Sequence, residues 1–161
     1  MLKIRKADIK DVPAIREIYN QAVLRTSATF DTEPYSLQQK TEWYNNHEGS
    51  HPVLVGEVNN TVVGWSSLSE WSGRCAYDGT VELSVYIDES HRGKGYGKQL
   101  TKAIVEAGRG KFHTILSRIT EGNDSSLHIH YELGFVDIGV MKQVGNKFGK
   151  FLDVHMLQLL Y

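Results

Sequence analysis

Apolar and polar positions along the first third of the chain repeat with two different periods. The segment "LKIRKA" alternates apolar and basic residues, which is the pattern of a half-buried strand. The next segment, "VPAIREIYNQAVL", places apolar residues every three or four positions and predicts an amphipathic helix, with Asp8 or Asp11 as its cap. Ser36 is a possible cap for a second predicted helix in "SLQQKTEWYNNHE".

The middle of the chain changes to strand-like patterns and then returns to a helical one. "PVLVGEVNNTVVGWSSL" predicts two strands that form a hairpin around the Asn59-Asn60 turn. "GTVELSVYID" is rich in β-branched residues and predicts a further strand. "YGKQLTKAIVEAGR" is helical in pattern, and its inward-facing positions are Leu100, Ala103, Ile104 and Ala107.

The last third of the chain predicts one more helix between strands. "TILSRIT" is strand-like, and "SSLHIHYEL" predicts a short helix that ends at Gly134. "FVDIGVMKQV" and "FLDVHMLQLL" are the predicted closing strands. Hairpins and strands separated by helices predict an α/β or α+β fold, in which helices cover a sheet.

Composition narrows the class of protein. A length of 161 residues suits one domain, 1–161, and a formal net charge of -1 gives no basic field that would recruit nucleic acid. No stretch approaches the roughly 20 apolar residues of a membrane span, and "MLKIRKADIKD" lacks the apolar run of a signal peptide. Cys75 is the only cysteine, so we expect no internal disulfide and no cysteine metal site. These observations predict a cytoplasmic protein without nucleic-acid or membrane partners.

The stretch "HRGKGYGKQL" combines glycines and cations between a predicted strand and a predicted helix. The residues concerned are Arg92, Gly93, Lys94, Gly95, Tyr96, Gly97 and Lys98. Glycines allow a close approach of the backbone, and the following helix start offers unpaired N–H groups, so the stretch predicts an anion-binding loop. Its spacing is neither that of a dinucleotide-binding motif nor that of a Walker motif. A glycine-rich turn with solvated lysines is the alternative.

Several segments together resemble one known family. "RGKGYG" resembles the R-x-x-G-x-G pyrophosphate loop of the GNAT superfamily of N-acetyltransferases, and "KIRKADIKDVPAIREIYN" and "NDSSLHIHYELGF" resemble its opening and late segments. "IYNQAVLRTSATFDTEP", "AYDGTVELSVYI" and "VGNKFGKFLDV" resemble the phosphinothricin acetyltransferase group within that superfamily. The resemblance covers nearly the whole chain. It implies a mixed, mostly antiparallel sheet of six to seven strands with about four helices, acetyl-CoA as cofactor, and a small amino-acid-like amine as acceptor.

The resemblance also implies roles for individual residues. Glu82 resembles the family's general base, which would act in a direct transfer, and on the strand pattern it shares a face with Ser84 and Tyr86. The backbone of Val85, Tyr86 and Ile87 would hold the pantetheine arm and the thioester oxygen. The alternative for Glu82 is an ordinary solvated or paired carboxylate.

Two positions near the late helix complete the implied cofactor site. Asn123 resembles the asparagine that ties the cofactor's arm to the strands, although a helix cap is an equally ordinary role for it. His130 stands where many relatives have a tyrosine, and it would donate a proton to the thiolate, bind the cofactor or only pack. Tyr131 is a second candidate donor, and a further alternative is that the thiolate needs no dedicated donor. The pair His128-x-His130 lies on different sides of a helix, so we expect no metal site.

Acceptor recognition is predicted in a loop before the fourth strand. Arg74 and Tyr77 would bind the acceptor, because a guanidinium suits a carboxylate, and Phe30 and Trp71 would form walls. An exposed loop arginine and core aromatic residues are the alternatives.

Two other functions and one assembly stay open on the sequence. The alternatives are a non-catalytic acyl-CoA-binding domain and a peptide or protein N-acetyltransferase. The closing segment "FLDVHMLQLLY" is apolar on both faces, and relatives in the resembled group are similar in forming dimers, so a homodimer is predicted. The alternative is that these residues fill the core of a monomer.

Overall fold

The computed structural model describes all 161 residues as seven strands and four helices. In chain order they are β1 (Lys3–Lys6), α1 (Val12–Arg25), α2 (Leu37–His47), β2 (Val53–Val58), β3 (Thr61–Glu70), β4 (Thr80–Ile87), α3 (Tyr96–Gly108), β5 (Thr114–Thr120), α4 (Asp124–Glu132), β6 (Val136–Lys147) and β7 (Lys150–Leu160). Every strand and helix predicted from the residue pattern is present.

The seven strands form one sheet in the order β1-β2-β3-β4-β5-β7-β6. All neighbouring pairs are antiparallel except β4 and β5, which are parallel. The predicted mixed, mostly antiparallel sheet of six to seven strands with about four helices is therefore confirmed.

Local side-chain signals set the helix starts and the first hairpin. Asp8 and Asp11 form a reciprocal capping box on a short 3-10 turn before α1. Asp8 therefore caps that turn, whereas Asp11 stands at the N-cap position of α1 without a side-chain cap hydrogen bond to the helix. Ser36 and Gln39 form a second box at the start of α2. At the Asn59-Asn60 turn both residues have positive φ, 50° and 63°, as the tight hairpin between β2 and β3 requires.

Helices pack on the sheet and bury two hydrophobic clusters against it. One cluster joins α1 and α2 to β2 and β3 around Trp65. The other joins α3 to β3, β4, β5 and β7, and in it the predicted inward residue Ile104 is fully buried. None of the helices has the length and apolar character that crossing a membrane requires.

The closing hairpin is only partly core. Val154 and Leu157 of β7 are buried, whereas Phe151 and Leu160 are 65% and 60% exposed. Further exposed apolar side chains lie on β6 and at the turn between the two strands: Val136, Ile138, Val140, Val144 and Phe148. The alternative that the closing segment fills a monomer core therefore holds for Val154 and Leu157 and is wrong for Phe151 and Leu160. We call this exposed set the hairpin patch.

Candidate active site

A gap opens in the middle of the sheet. The parallel pairing of β4 with β5 covers only Thr80 to Glu82 against Thr114 to Leu116. Beyond these residues the two strands diverge, while β4 stays paired with β3 as far as Ile87. The edge of β4 that faces the gap therefore has no strand partner over 83–87, and its backbone polar groups are available to a ligand. The predicted cofactor-binding backbone of Val85 to Ile87 lies within this edge.

Two cavities flank the gap and share part of their walls. The first, of about 570 Å³, is lined by Arg92, the following glycines and the start of α3, and we call it the glycine-loop cavity. The second, of about 400 Å³, is lined by Asp31, Glu82 and their neighbours, and we call it the carboxylate cavity. Ala28, Val85, Tyr86, Asn123 and Ser126 line both. A ligand lying along β4 therefore reaches both cavities.

The glycine-loop cavity has the properties of an anion site. Gly93 and Gly95 both have φ of 76°, and a Cβ at either position would meet nothing within 4 Å, so open space lies in front of the loop. Gly95 is the N-cap of α3, whose first N–H groups and dipole favour negative charge. Arg92 and Lys98 line the cavity, and none of its lining residues is acidic. These residues fit the phosphate groups of a nucleotide-like cofactor.

The cations of the loop make different contacts. Arg92 donates from Nε to the Ile87 carbonyl at 3.2 Å, which ties the loop to the end of β4. Lys94 donates to the Ser90 carbonyl at 3.3 Å and is not part of the cavity lining. Lys98 forms an ion pair with Glu132 at 2.9 Å, which lowers the pKa of that carboxyl. Arg92 is therefore the cation of the loop that has no carboxylate partner and lines the cavity.

Glu82 lies in the carboxylate cavity as half of a fork-shaped ion pair. Its two oxygens accept from Nε and Nη2 of Arg118 at 2.5 and 2.7 Å. Glu82 is the last residue of β4 that pairs with β5, so the pair stands where the gap begins. Ser84 and Tyr86 line the same cavity, and so do the residues between them and Glu82, Leu83 and Val85. The arrangement puts a carboxylate oxygen next to the edge of β4 that is open to a ligand.

A second carboxylate enters the cavity from the loop between α1 and α2. Asp31 accepts a hydrogen bond from the hydroxyl of Tyr19, and burial raises the pKa of that phenol, so Tyr19 remains a donor. Lys147 of β6 donates to the Thr29 carbonyl at 2.7 Å and so fixes the same loop. Phe30 also lines the cavity, and its contact with an acceptor stays a prediction.

His130 is buried beneath the gap. Its Nδ1 lies 2.7 Å from the Ser126 carbonyl and its Nε2 lies 3.0 Å from the hydroxyl of Ser117. Burial lowers the pKa of His130, so the neutral ring donates from Nδ1 to the carbonyl and accepts at Nε2 from Ser117. The ring lines the carboxylate cavity without offering a proton at Nε2. Tyr131, the other candidate donor, bonds to Asp137 at 3.0 Å and lines neither cavity.

The structure brings together most, though not all, of the predicted site residues. Glu82, Val85 to Ile87, Asn123 and His130 meet at the gap with the glycine loop. Arg74 and Tyr77 lie on an exposed turn before β4 and line neither cavity, so their role stays a prediction. Trp71 contacts the site indirectly, because the Arg118 guanidinium lies over its ring at 5.6 Å from the centroid.

Sequence reasoning missed Arg118 and Asp31. Arg118 is the one charged residue of "TILSRIT", an otherwise strand-like segment, and that isolation was the available signal. Asp31 lies in "SATFDTEP", a segment without helix or strand periodicity, and the available signal was that this segment carries part of the family resemblance.

Comparisons with known proteins identify the family of the chain. The acetyltransferase (GNAT) family model matches residues 13–135, and the chain belongs to that family. It is 39% identical to the L-amino acid N-acyltransferase MnaT of Escherichia coli (strain K12), over 98% of this chain and 93% of that protein. It is 38% identical to an L-methionine sulfoximine/L-methionine sulfone acetyltransferase of Pseudomonas aeruginosa, over 97% of this chain and 92% of that protein.

A solved structure extends the likeness to a bound cofactor. The GNAT superfamily phosphinothricin acetyltransferase of Sinorhizobium meliloti in complex with acetyl-CoA matches with a TM-score of 0.95 and 31% identity, over 99% of this chain and 88% of that one. The predicted resemblance to GNAT enzymes of the phosphinothricin acetyltransferase group is confirmed. The protein is an N-acetyltransferase of this family, and its cofactor is acetyl-CoA.

Proposed function

We propose that the protein transfers the acetyl group of acetyl-CoA directly to the α-amine of a small amino-acid-like acceptor. The observation that carries the proposal is the shared wall of the two cavities, because a cofactor in one and an acceptor in the other would meet along β4. The relatives named for amino acids and for methionine sulfoximine or sulfone support this acceptor class. A cavity of about 400 Å³ also suits a small molecule better than a polypeptide.

In this proposal the glycine loop binds the pyrophosphate and β4 binds the pantetheine arm. Gly93, Gly95 and Gly97 bring backbone N–H groups close to the phosphates, and Arg92 adds a charge-assisted contact. Backbone groups of Val85 to Ile87 would hydrogen-bond the arm and polarise the thioester carbonyl. Acetyl-CoA supplies the activated acetyl group. Asn123 stands where both cavities meet, which favours a contact with the arm.

Glu82 is the general base of this proposal. An amine is mostly protonated at neutral pH, so a carboxylate or a water bound to it must accept the proton before transfer. Glu82 lies at the start of the gap with a side chain that is 20% exposed, so an acceptor amine can approach it. His130 has the role of positioning Ser117 and the floor of the cavity. When the C–N bond forms and the C–S bond breaks, the nitrogen releases its surplus proton to solvent. The departing thiolate takes a proton from solvent, because neither His130 nor Tyr131 offers one there.

The test is an acceptor panel with acetyl-CoA and free-thiol detection. The panel holds L-methionine sulfone, L-methionine sulfoximine, phosphinothricin, common L-amino acids and short peptides. We expect turnover with one or more of the free amino acids and little with peptides. Efficient turnover of peptides alone would indicate a peptide N-acetyltransferase. Tight binding of acetyl-CoA without turnover of any acceptor would indicate a binding domain.

We also propose that the protein is a homodimer in the cytoplasm. The hairpin patch has apolar side chains on both faces of the hairpin, Leu160 and Val136 on one and Phe151 and Val140 on the other, and a two-fold contact over either face would bury part of it. Light scattering at micromolar concentration tests the assembly. A mass near 18.2 kDa, that of one chain, would contradict it. The location rests on the use of acetyl-CoA, which is an intracellular metabolite.

A further inference from the structure

Arg118 is the one permanently charged cation among the residues that line the carboxylate cavity. The ionisable side chains of that lining are Asp31, Glu82, Arg118 and His130, with two tyrosines. His130 is neutral for the reasons given above. The nearby lysines are turned to other partners: Lys147 donates to the Thr29 carbonyl, and Lys40 is enclosed by aromatic rings. An anionic group in this cavity therefore has one cation to meet.

Half of the Arg118 guanidinium is already used, and half is free. Nε and one N–H of Nη2 donate to Glu82, whereas Nη1 makes no hydrogen bond. A guanidinium has five N–H donors in a rigid plane, so the edge formed by Nη1 and the second N–H of Nη2 remains open. The Arg118 side chain is 52% exposed, so the protein does not enclose it.

The guanidinium is also held in place before any ligand arrives. Glu82 fixes one edge, and the Trp71 ring lies against one face at 5.6 Å. Glu82 raises the pKa of Arg118 further above its already high usual value, so the charge is present at every working pH. A cation with a fixed orientation loses little conformational entropy when it binds a carboxylate.

The free edge of Arg118 lies where it could bind the carboxylate of an α-amino acid while the amine of the same molecule approaches Glu82. The α-carboxylate and the α-amine of such an acceptor stand on the same carbon atom. A carboxylate on Arg118 would therefore bring the amine close to Glu82, which is bonded to the other edge of the same guanidinium. One side chain would then both select the acceptor and aim its amine at the base.

We infer that Arg118 binds the α-carboxylate of the acceptor through its free edge and is the residue by which the enzyme distinguishes amino acids from simple amines. This inference rests on the proposed function. It gives Arg118 the role that the sequence assigned to Arg74, which lies on an exposed turn outside the cavity.

The test compares L-methionine sulfone with its α-carboxamide as acceptors for the wild type and for Arg118→Gln. We expect the ratio of the two kcat/KM values, acid over amide, to fall by about 10- to 100-fold in Arg118→Gln, because a charge-assisted pair is lost for the acid alone. If the substitution also weakens Glu82 as a base, kcat/KM falls for both acceptors alike and the ratio does not change. The two acceptors differ in amine pKa, but this difference affects the ratio equally in the wild type and in the variant. Acetyl-CoA KM should stay the same. Arg118→Lys keeps the charge without the fork and should recover part of the ratio.

The matched control is Arg109→Gln. Arg109 forms the same kind of two-bond pair with Glu106, at 3.1 and 3.1 Å, at the exposed end of α3 and away from both cavities. Its variant should keep the wild-type ratio.

Three results would overturn the inference. One is an unchanged ratio in folded Arg118→Gln or, if that variant fails to fold, in folded Arg118→Lys. Another is a loss of discrimination in Arg74→Gln without one in the Arg118 variants. The third is a wild type that acetylates the amide as well as the acid after correction for free amine, which would leave the acetyltransferase function intact. If the wild type acetylates neither this pair nor any other amino acid, the proposed function fails, and this inference fails with it.

Discussion

The two cavities along the gap contrast in charge, although they share a wall. The glycine-loop cavity has cations, glycines and a helix start but no acidic lining residue. The carboxylate cavity has two carboxylates and one guanidinium. The first can attract only an anion, whereas the second suits a molecule that carries both signs. Both lie where β4 diverges from β5, so one break in strand pairing would supply the proposed cofactor site and the proposed acceptor site next to each other.

Removing the base from the carboxylate cavity should have the largest effect. Glu82→Gln keeps the size of the side chain but cannot accept the proton, so turnover should fall by about 10²–10⁴-fold while acetyl-CoA KM stays nearly constant. The deficit should shrink as pH rises and the free amine accumulates. Glu106→Gln, which breaks an ion pair far from the gap, is the control. Near-wild-type turnover of Glu82→Gln at neutral pH would end the assignment.

Changes in the glycine loop should affect only the other cavity. Gly95→Val puts a β-branched side chain at a φ of 76° and fills the space in front of α3, so acetyl-CoA KM should rise about 100-fold, and Arg92→Ala should raise it about tenfold. Acceptor KM should change little. Gly110→Val is the matched control, because Gly110 has a φ of 77° and open space but lies outside both cavities. An equal rise in Gly110→Val would attribute the effect to backbone strain.

Lys40, a buried cation that lines neither cavity, should affect the stability of the protein and not its choice of acceptor. Lys40 is buried among Tyr19, Tyr35, Trp43 and Trp65, and burial lowers its pKa to about 7. The aromatic faces favour the charged form and oppose this shift. Between about pH 7 and the unfolded value of 10.5, the unfolded chain therefore binds more protons than the folded one, so stability rises with pH.

Lys40→Met should remove that dependence. Measured by urea unfolding, the wild type should gain about 1 to 3 kcal/mol relative to Lys40→Met between pH 7 and pH 10. A constant difference between the two proteins across this range would show that Lys40 titrates normally.

A change at the wall of the carboxylate cavity should give the smallest effect. A Cβ at Gly145 would overlap the ring of Phe30, which must then move in the cavity. Gly145→Ala should therefore raise acceptor KM by up to about tenfold and leave acetyl-CoA KM unchanged. Gly79→Ala, where the added Cβ would have an ordinary 3.7 Å contact, is the control. A rise in acetyl-CoA KM instead would contradict the separation of the two cavities.

The glycine-loop cavity and the carboxylate cavity also differ in how much of each the sequence could predict. The capping boxes at Asp8 and Ser36 and the glycine loop depend on residues a few positions apart, so the local pattern contains them. The pair of Glu82 with Arg118 spans 36 positions and exists only in the parallel register of β4 and β5. The contact of Lys147 with the Thr29 carbonyl spans 118 positions. The glycine loop was therefore predictable from the residues, whereas the charges of the proposed acceptor site required the fold.

Hydrogen–deuterium exchange with mass spectrometry tests the central claim, that the gap between β4 and β5 holds both ligands. Acetyl-CoA should slow the exchange of amides in 85–98, and L-methionine sulfone added with CoA should extend the protection to 28–31 and 117–120. Protection located instead at the separate cavity between α2 and β2, around His47, His51 and Pro52, would contradict the account.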